Sequence, residues 1–248
     1  MPLSCLLRAI VSGGVQHGRM VRRATGSRPG GRAAVRGVRR PEVRLPALRA
    51  WAGGELEPDG DYDGLEFLER DLAGQDGVGA RFMDCALTGC AVDGTALGRA
   101  RILDSVLTGL RGVGTQLAES TFRDVELVDA RLGGTQLHGA VLERVVIRGG
   151  KIDCLNLREA RLKDVVFESC VLVEPDFAGA HLERVEFADC ALTGADFGNA
   201  TLKDVDLRGA GPLEITRGLD RLSGAVVSAG QLLDLAPALA AELGIRVE

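Results

Sequence analysis

Residues 180–209 read AHLER VEFAD CALTG ADFGN ATLKD VDLRG, six five-residue units in one frame. Each unit opens on a small or β-branched residue (Ala180, Val185, Cys190, Ala195, Ala200, Val205). Each centres on a large apolar one (Leu182, Phe187, Leu192, Phe197, Leu202, Leu207). Followed outward, the large position recurs without a break from Leu72 to Leu207, and 26 of its 28 occupants are Leu, Ile, Val or Phe, where average usage would supply roughly a third. The exceptions are Gly77 and Gly112. A period of five fits neither a helix nor a strand. Each short unit must therefore contribute one inward side chain to a stacked repeat.

Two residues before each large position runs the column of smaller residues, including Ala80, Cys85, Cys90, Thr95, Ala100 and Ser105. The unit is thus small, polar, large apolar, polar, polar-or-glycine, as in Ala195-Asp196-Phe197-Gly198-Asn199. This pattern resembles the pentapeptide-repeat family over 28 consecutive units. The resemblance implies an all-β solenoid: a right-handed quadrilateral β-helix, four pentapeptides to a coil, with both columns pointing inward. The sequence supports four units per coil independently. Residues twenty apart form an alanine column (Ala80, Ala100, Ser120, Ala140, Ala160, Ala180, Ala200) and a largely valine column (Cys85, Ser105, Val125, Val145, Val165, Val185, Val205). A period of five alone would mix these. About seven coils at ~4.8 Å give a rod on the order of 34 Å long.

Departures from the pattern are few. Leu110 precedes Gly112 in the same unit, so volume is exchanged within it, whereas Gly77 has only Gln75 beside it. Pro175 replaces a small residue, and its missing N–H requires a position the ladder does not use.

The flanks divide the chain into an Arg-rich arm expected to be disordered (1–50), a lead-in and cap (51–69), the repeat (70–210), and a final partial coil with a helical cap (211–248). Residues 1–50 carry eleven arginines and one acid, Glu42, a net of +10; the whole chain is −5, leaving −15 for the rest. The arm is compatible with an anionic-surface tether, a mitochondrial-type targeting peptide or an unstructured extension with Met20 as a later start. Arg8 interrupts the only apolar run near the N-terminus, and no stretch has the eighteen or so apolar residues of a membrane span. The expected location is cytoplasmic.

Both ends of such a solenoid expose unpaired edges that need cover. At the N-terminal end Tyr62, Leu65 and Phe67 lead in, behind the acids Glu55, Glu57, Asp59, Asp61 and Asp63. At the C-terminal end the pattern stops at a Gly211-Pro212 loop and returns at Leu222 and Val227. Ser228 is placed to cap a helix over 231–243 whose stripe is Leu232, Leu235, Leu239 and Leu243, with Pro237 expected to split it. The stripe is expected to cover the last coil; the alternative is a homodimer contact, as family members that pair through their C-terminal ends suggest.

Chemistry-bearing constellations are sparse. His138 and His181 fall in different columns, and no phosphate loop, Cys-x-x-Cys pair or nucleophile elbow occurs. No catalytic, cofactor or metal role is therefore assigned, no small-molecule substrate is expected, and the chain reads as non-enzymatic. Cys85, Cys90, Cys170 and Cys190 occupy the small column as compact hydrophobes, with Cys170 and Cys190 stacked and expected to be reduced.

One corner column reads Asp84, Asp104, Asp124, Arg144, Asp164, Arg184, Asp204. Its lower part, Asp84, Asp104 and Asp124, is an unneutralised acidic line and the candidate partner-binding surface. The resemblance implies DNA mimicry toward type II topoisomerases such as DNA gyrase. Against that, residues 70–210 hold 22 acidic and 16 basic residues, a net of −6. A duplex of the same length carries ~20 charges. Expected functions are a rigid protein-interaction rod acting by partial DNA mimicry or, alternatively, a scaffold or self-association module.

Overall fold

The fifth position of the unit, polar or glycine in the sequence, is where the chain turns. In the computed structural model, which describes residues 37–246, every fifth residue from Asp59 to Asp204 has a positive φ, between 47° and 75°. Of these thirty corners twelve are glycine and nine are Asp or Asn, the residues that enter the left-handed region at least cost. A left-handed corner every five residues returns the chain to its starting side after four units. Residues twenty apart then stand in register, as Val141 on Arg161 and Leu142 on Leu162 do.

The result is a parallel β-solenoid of four faces. Faces one and two belong to a single 12-stranded sheet, face three to a 6-stranded sheet, and face four is held by single bridges such as Gln116 to Gln136 to Asn156. From Arg101 to Ala188 faces one and two merge into eight-residue strands that pass through a corner, Arg101–Thr108 being the first. Ladder bonds tie each coil to the next, for example Leu72 N–H to the Ala91 carbonyl at 2.9 Å and Ala91 N–H to the Arg70 carbonyl at 2.9 Å.

The solenoid has about nine turns rather than seven, because both flanks contribute. Strand β1, Arg49–Ala50, pairs with Leu65–Leu68, and Ala225–Val226 pairs with Val205 and Asp206. Nine strand spacings give a rod of about 43 Å. The registers explain why the extra turns were hidden. Arg49 stands on Leu65, sixteen residues away, so the first turn is out of frame with the repeat. At the other end Ala210–Arg217 forms a strand through Gly211-Pro212, expected to be a loop, with shifts of register against Cys190–Asp196.

Large and small columns both face inward. Phe167 stacks on Phe187 with ring centroids 4.8 Å apart, and Phe177 on Phe197 at 5.0 Å. The lower coils, lined mostly by Leu, Ile and Val with Phe82 and Phe122 among them, enclose an axial cavity of about 70 Å³ between Leu56 and Leu155, well below the ~300 Å³ of small-molecule sites. Gly77 does have a partner: Leu56 enters beside it, its Cβ only 3.4 Å from where a side chain on Gly77 would begin. Gln75 Oε1 accepts the Leu56 N–H at 2.9 Å. At Gly112 a Cβ would lie 2.8 Å from the Val92 carbonyl carbon, so the wall is drawn in there while Leu110 fills the core. Pro175 costs nothing to the ladder, because the equivalent Thr95 N–H serves only a local turn to the Val92 carbonyl at 3.3 Å.

The two ends differ. Trp51, Leu56 and Tyr62 close the N-terminal end, Trp51 stacking on Phe67 at 4.8 Å, and exposed Glu55, Glu57, Asp59, Asp61 and Asp63 ring it. The C-terminal end is open. Leu213, Ile215, Leu222 and Val227 are only partly buried. Helix α1, Ala229–Glu242, is capped by Ser228 through a reciprocal box with Gln231. It runs through Pro237 without splitting. Gln231 Nε2 also donates to the Leu207 and Ala210 carbonyls, at 2.7 and 2.6 Å, tying the helix to the last regular coil. Of its stripe only Leu235 is buried; Leu239 is half-buried, and Leu232 and Leu243 are exposed. The helix is tied to the last regular coil through its first turn and buries the middle of its stripe, and the two ends of the stripe face outward.

Replacing the fully buried Phe177 by Ala removes one ring from two aromatic contacts and should cost about 3–5 kcal/mol. Leu232→Ala, on the exposed side of α1, should stay within about 0.5 kcal/mol. Urea denaturation of the two variants checks the difference.

Candidate protein-interaction surface

Between faces one and two the corner residues are Asp84, Asp104, Asp124, Arg144, Asp164, Arg184 and Asp204, all left-handed. Stacking brings successive corners together, and charge alternation in the upper coils makes two repeated clusters. Arg144 holds Asp124 with two hydrogen bonds, Nε to Oδ1 at 2.6 Å and Nη2 to Oδ2 at 2.7 Å, and also bonds Glu143 at 2.8 Å. Two coils higher Arg184 holds Asp164 at 2.7 and 2.9 Å and bonds Glu183. Such forked pairs are the strong kind of ion pair, and they offset the cost of arginine in a left-handed corner. Asp124, expected to be part of an unneutralised line, is therefore paired. Asp84 and Asp104 remain, half-buried, and form no ion pair among the described residues. Burial first, and then the carboxylates of Asp124 and Asp84, push the Asp104 pKa above its ordinary value.

A second element lies on this corner. Residues 37–48, expected to be disordered with the rest of the arm, form an extended strap; residues 1–36 lie outside the described ones. The Arg39 backbone N–H donates to Asp164 Oδ1 at 3.2 Å and its guanidinium pairs with the same carboxylate at 3.3 Å. Arg40 pairs with Glu168 at 3.1 Å. These two carboxylates flank Val166, which points outward from face two between inward Val165 and Phe167 yet is fully buried, as is Val146 at 2 % exposure. Pro41 is buried, and Val38, Val43, Leu45 and Leu48 are half-buried. The strap ends at Arg49, whose N–H bonds the Gly64 carbonyl at 2.9 Å.

The strap's levels follow from these anchors. It starts beside Asp164 and ends beside Gly64, five coils or about 24 Å lower, a distance within the ~33 Å reach of ten extended residues. It therefore descends past the corners from Arg144 to Asp84, with Arg39, Arg40 and Glu42 bounding a cleft shared with Asp124 and Arg144. Along the same walls runs an outward apolar column, Ala86, Val106, Val146 and Val166 on face two, with Met83 and Leu103 on face one. The sequence signal was available: apolar residues at polar positions of the unit, recurring every twenty.

Burial works against ionisation of Asp164, but hydrogen bonds from Arg184 and from the Arg39 N–H, with both guanidinium charges, outweigh it and hold its pKa below the ordinary value. Glu168 is likewise held low by hydrogen bonds from Arg148 and Arg40.

Other chemistry-bearing residues are dispersed. His138 lies on face four and His181 on face one. No group of three metal-ligating side chains occurs among the described residues. Cys85, Cys90, Cys170 and Cys190 are buried free thiols, and Cys190 Sγ accepts the Cys170 N–H at 3.4 Å. Burial pushes the Cys85 and Cys90 thiols up, and the contact with Cys190 together with burial does so for Cys170. Cys154 occupies an exposed corner, and Cys5 lies outside the described residues. Among the described residues no helix is long and apolar enough to cross a membrane.

The family model described as "Pentapeptide repeat region" matches residues 80–157 and 160–211, more than half of the chain. The chain belongs to the pentapeptide repeat family. Solved structures of pentapeptide repeat proteins are similar to it. HetL of the cyanobacterium Nostoc sp. strain PCC 7120, involved in heterocyst differentiation regulation, is 20% identical over 72% of this chain and 94% of its own, with a TM-score of 0.31. Full-length QnrB1, a plasmid-mediated fluoroquinolone resistance protein, is 18% identical over 76% and 92%, with a TM-score of 0.32. Rfr23 of the cyanobacterium Cyanothece 51142 is 17% identical over 63% and 87%, with a TM-score of 0.18. Likenesses this slight carry no argument about function. No curated protein matches the chain significantly.

The raised Asp104 pKa sets a direction for stability. The folded pentapeptide repeat binds this proton more tightly than the unfolded chain does, so the contribution is complete below the ordinary value of 3.8 and lost as pH rises through the folded pKa. Asp104→Asn, which keeps a residue suited to a left-handed corner, should raise the melting temperature at pH 7. Its advantage over the wild type should disappear below pH 3.8. Thermal melts of both proteins across this range check it.

Proposed function

We propose that the protein is a non-enzymatic rod that offers the corner between faces one and two to a protein partner carrying basic groups. The observation that carries this reading is the pair Asp84 and Asp104. They stand one coil apart on a rigid ladder, half-buried, repelling each other and forming no ion pair among the described residues. Folding alone does not benefit from that arrangement, whereas a cationic partner would relieve it. The strap supports the reading, because it is a basic segment already seated on the same corner.

The family resemblance makes a type II topoisomerase the first partner to test. The mimicry would be partial: with a net of −6 over residues 70–210 the rod matches a duplex in one acidic line, not in charge density. Gyrase supercoiling with added protein should be modulated at micromolar excess, and the Asp84→Asn/Asp104→Asn double variant should lose at least tenfold of that effect. No change at micromolar excess overturns the topoisomerase partner.

The open C-terminal end favours a second reading, self-association. Leu233 and Leu243 are each 75% exposed and Ile245 is 56% exposed, beside the partly buried Leu213, Ile215 and Leu222. The acidic ring at the other end would discourage head-to-tail stacking there, so the C-terminal ends would meet. In sedimentation the full chain should run as a dimer and a Leu233→Asp/Leu243→Asp variant as a monomer. Two monomers overturn this reading.

A further inference from the structure

We propose that residues 37–48 are a displaceable self-ligand, and that the groove beneath them is a docking site for an extended segment of a partner protein in which paired arginines precede alternating apolar residues. This deepens the interaction-rod reading and rests on it for the partner, while the groove itself is read from the strap.

The strap defines what the groove recognises. Its arginine pair, Arg39 and Arg40, engages Asp164 and Glu168, and Pro41 is buried immediately after them. Val43 and Leu45, two apart, are half-buried while Arg44 between them is exposed, the alternation of an extended chain with one face down. Pro41 and Pro46 donate no backbone hydrogen bond, so the segment is suited to lying on a wall and not to joining a ladder.

Three features make the strap replaceable. From Arg40 to Leu48 no backbone hydrogen bond joins it to the coils among the described residues; the coils themselves are bonded at every turn. Elements held by side chains alone open at lower free energy than ladders do. Its fit is also incomplete. A cleft of about 350 Å³ remains between Arg39, Arg40, Glu42, Asp124 and Arg144. Arg44 and Arg49 form no ion pair among the described residues, and neither do Asp84 and Asp104 farther down the same corner. An external segment with cations in register with those two carboxylates would bind better than the strap does. Finally, Asp164 does not depend on the strap for charge compensation, because Arg184 keeps it paired when Arg39 leaves.

The test uses the full chain and a fluorescein-labelled synthetic peptide of residues 37–48. The double variant Arg39→Glu/Arg40→Glu should release the strap and retain the solenoid, as the Arg39 side chain is 66% exposed. Fluorescence anisotropy should then show the peptide binding the variant at least tenfold more tightly than the wild type. Glu168→Lys added to the variant should abolish that gain, as should the same two Arg→Glu changes in the peptide. Equal binding to wild type and variant, or binding to neither, overturns the proposal. Should the variant fail to fold by circular dichroism, hydrogen exchange on the wild type decides. The Arg39 amide, which is bonded to Asp164 Oδ1, reports on displacement: exchange far faster than at Val145 or Val165 supports it, and protection equal to the ladder overturns it. A negative gyrase assay would leave the peptide result standing, so the two readings fail separately.

Discussion

A left-handed corner at every fifth residue, closed by a parallel ladder to the residue twenty farther on, is the constraint on which the rest depends. The corner sets the length of a face, and the ladder forces each corner to sit on its equivalent. Side chains at one level therefore have fixed neighbours above and below. That is why glycine, Asp and Asn dominate the corners. It is also why Arg144 and Arg184 can occupy two of them: each is placed where its fork meets a carboxylate of the coil below. The same geometry stacks Phe167 on Phe187 and Cys170 on Cys190.

A wall built this way has outward columns as regular as its inward ones, and the strap exploits one of them. Val146 and Val166 occupy positions that elsewhere carry Glu126 or Glu186, and both are buried, Val166 between the two carboxylates that hold Arg39 and Arg40. The wall thus already binds an extended basic segment. Its ends behave differently from its sides. The first turn is sealed by aromatic residues inside an acidic ring, whereas the last is left with apolar side chains half-covered and a helix attached through Gln231.

Some elements were legible residue by residue. The large and small columns, the Ser228 cap and the stacking of Cys170 on Cys190 depend only on spacing within the repeat or on local hydrogen bonding, both of which are written in order along the chain. The coil count was not, because the first turn pairs Arg49 with Leu65 at a separation of sixteen residues where the repeat uses twenty. Nor was the fate of the helix stripe. Leu232 and Leu243 have helical spacing, but spacing says only that they share a face, not that the face meets anything. In the acidic line, Asp124 looked like its neighbours until the ladder placed Arg144 against it.

By itself the sequence determined a stacked repeat, its four units per turn and the columns of its regular coils, since the periods of five and twenty are written in order along the chain; its resemblance to the pentapeptide repeats implied the solenoid. Only the tertiary structure decided which carboxylates are paired, where the rod ends, and that residues 37–48 lie along the corner beside Asp164. The physical reason is that a repeat specifies contacts at a constant separation of twenty residues, whereas the strap meets Asp164 and Glu168 across separations of 125 and 128 that no period encodes.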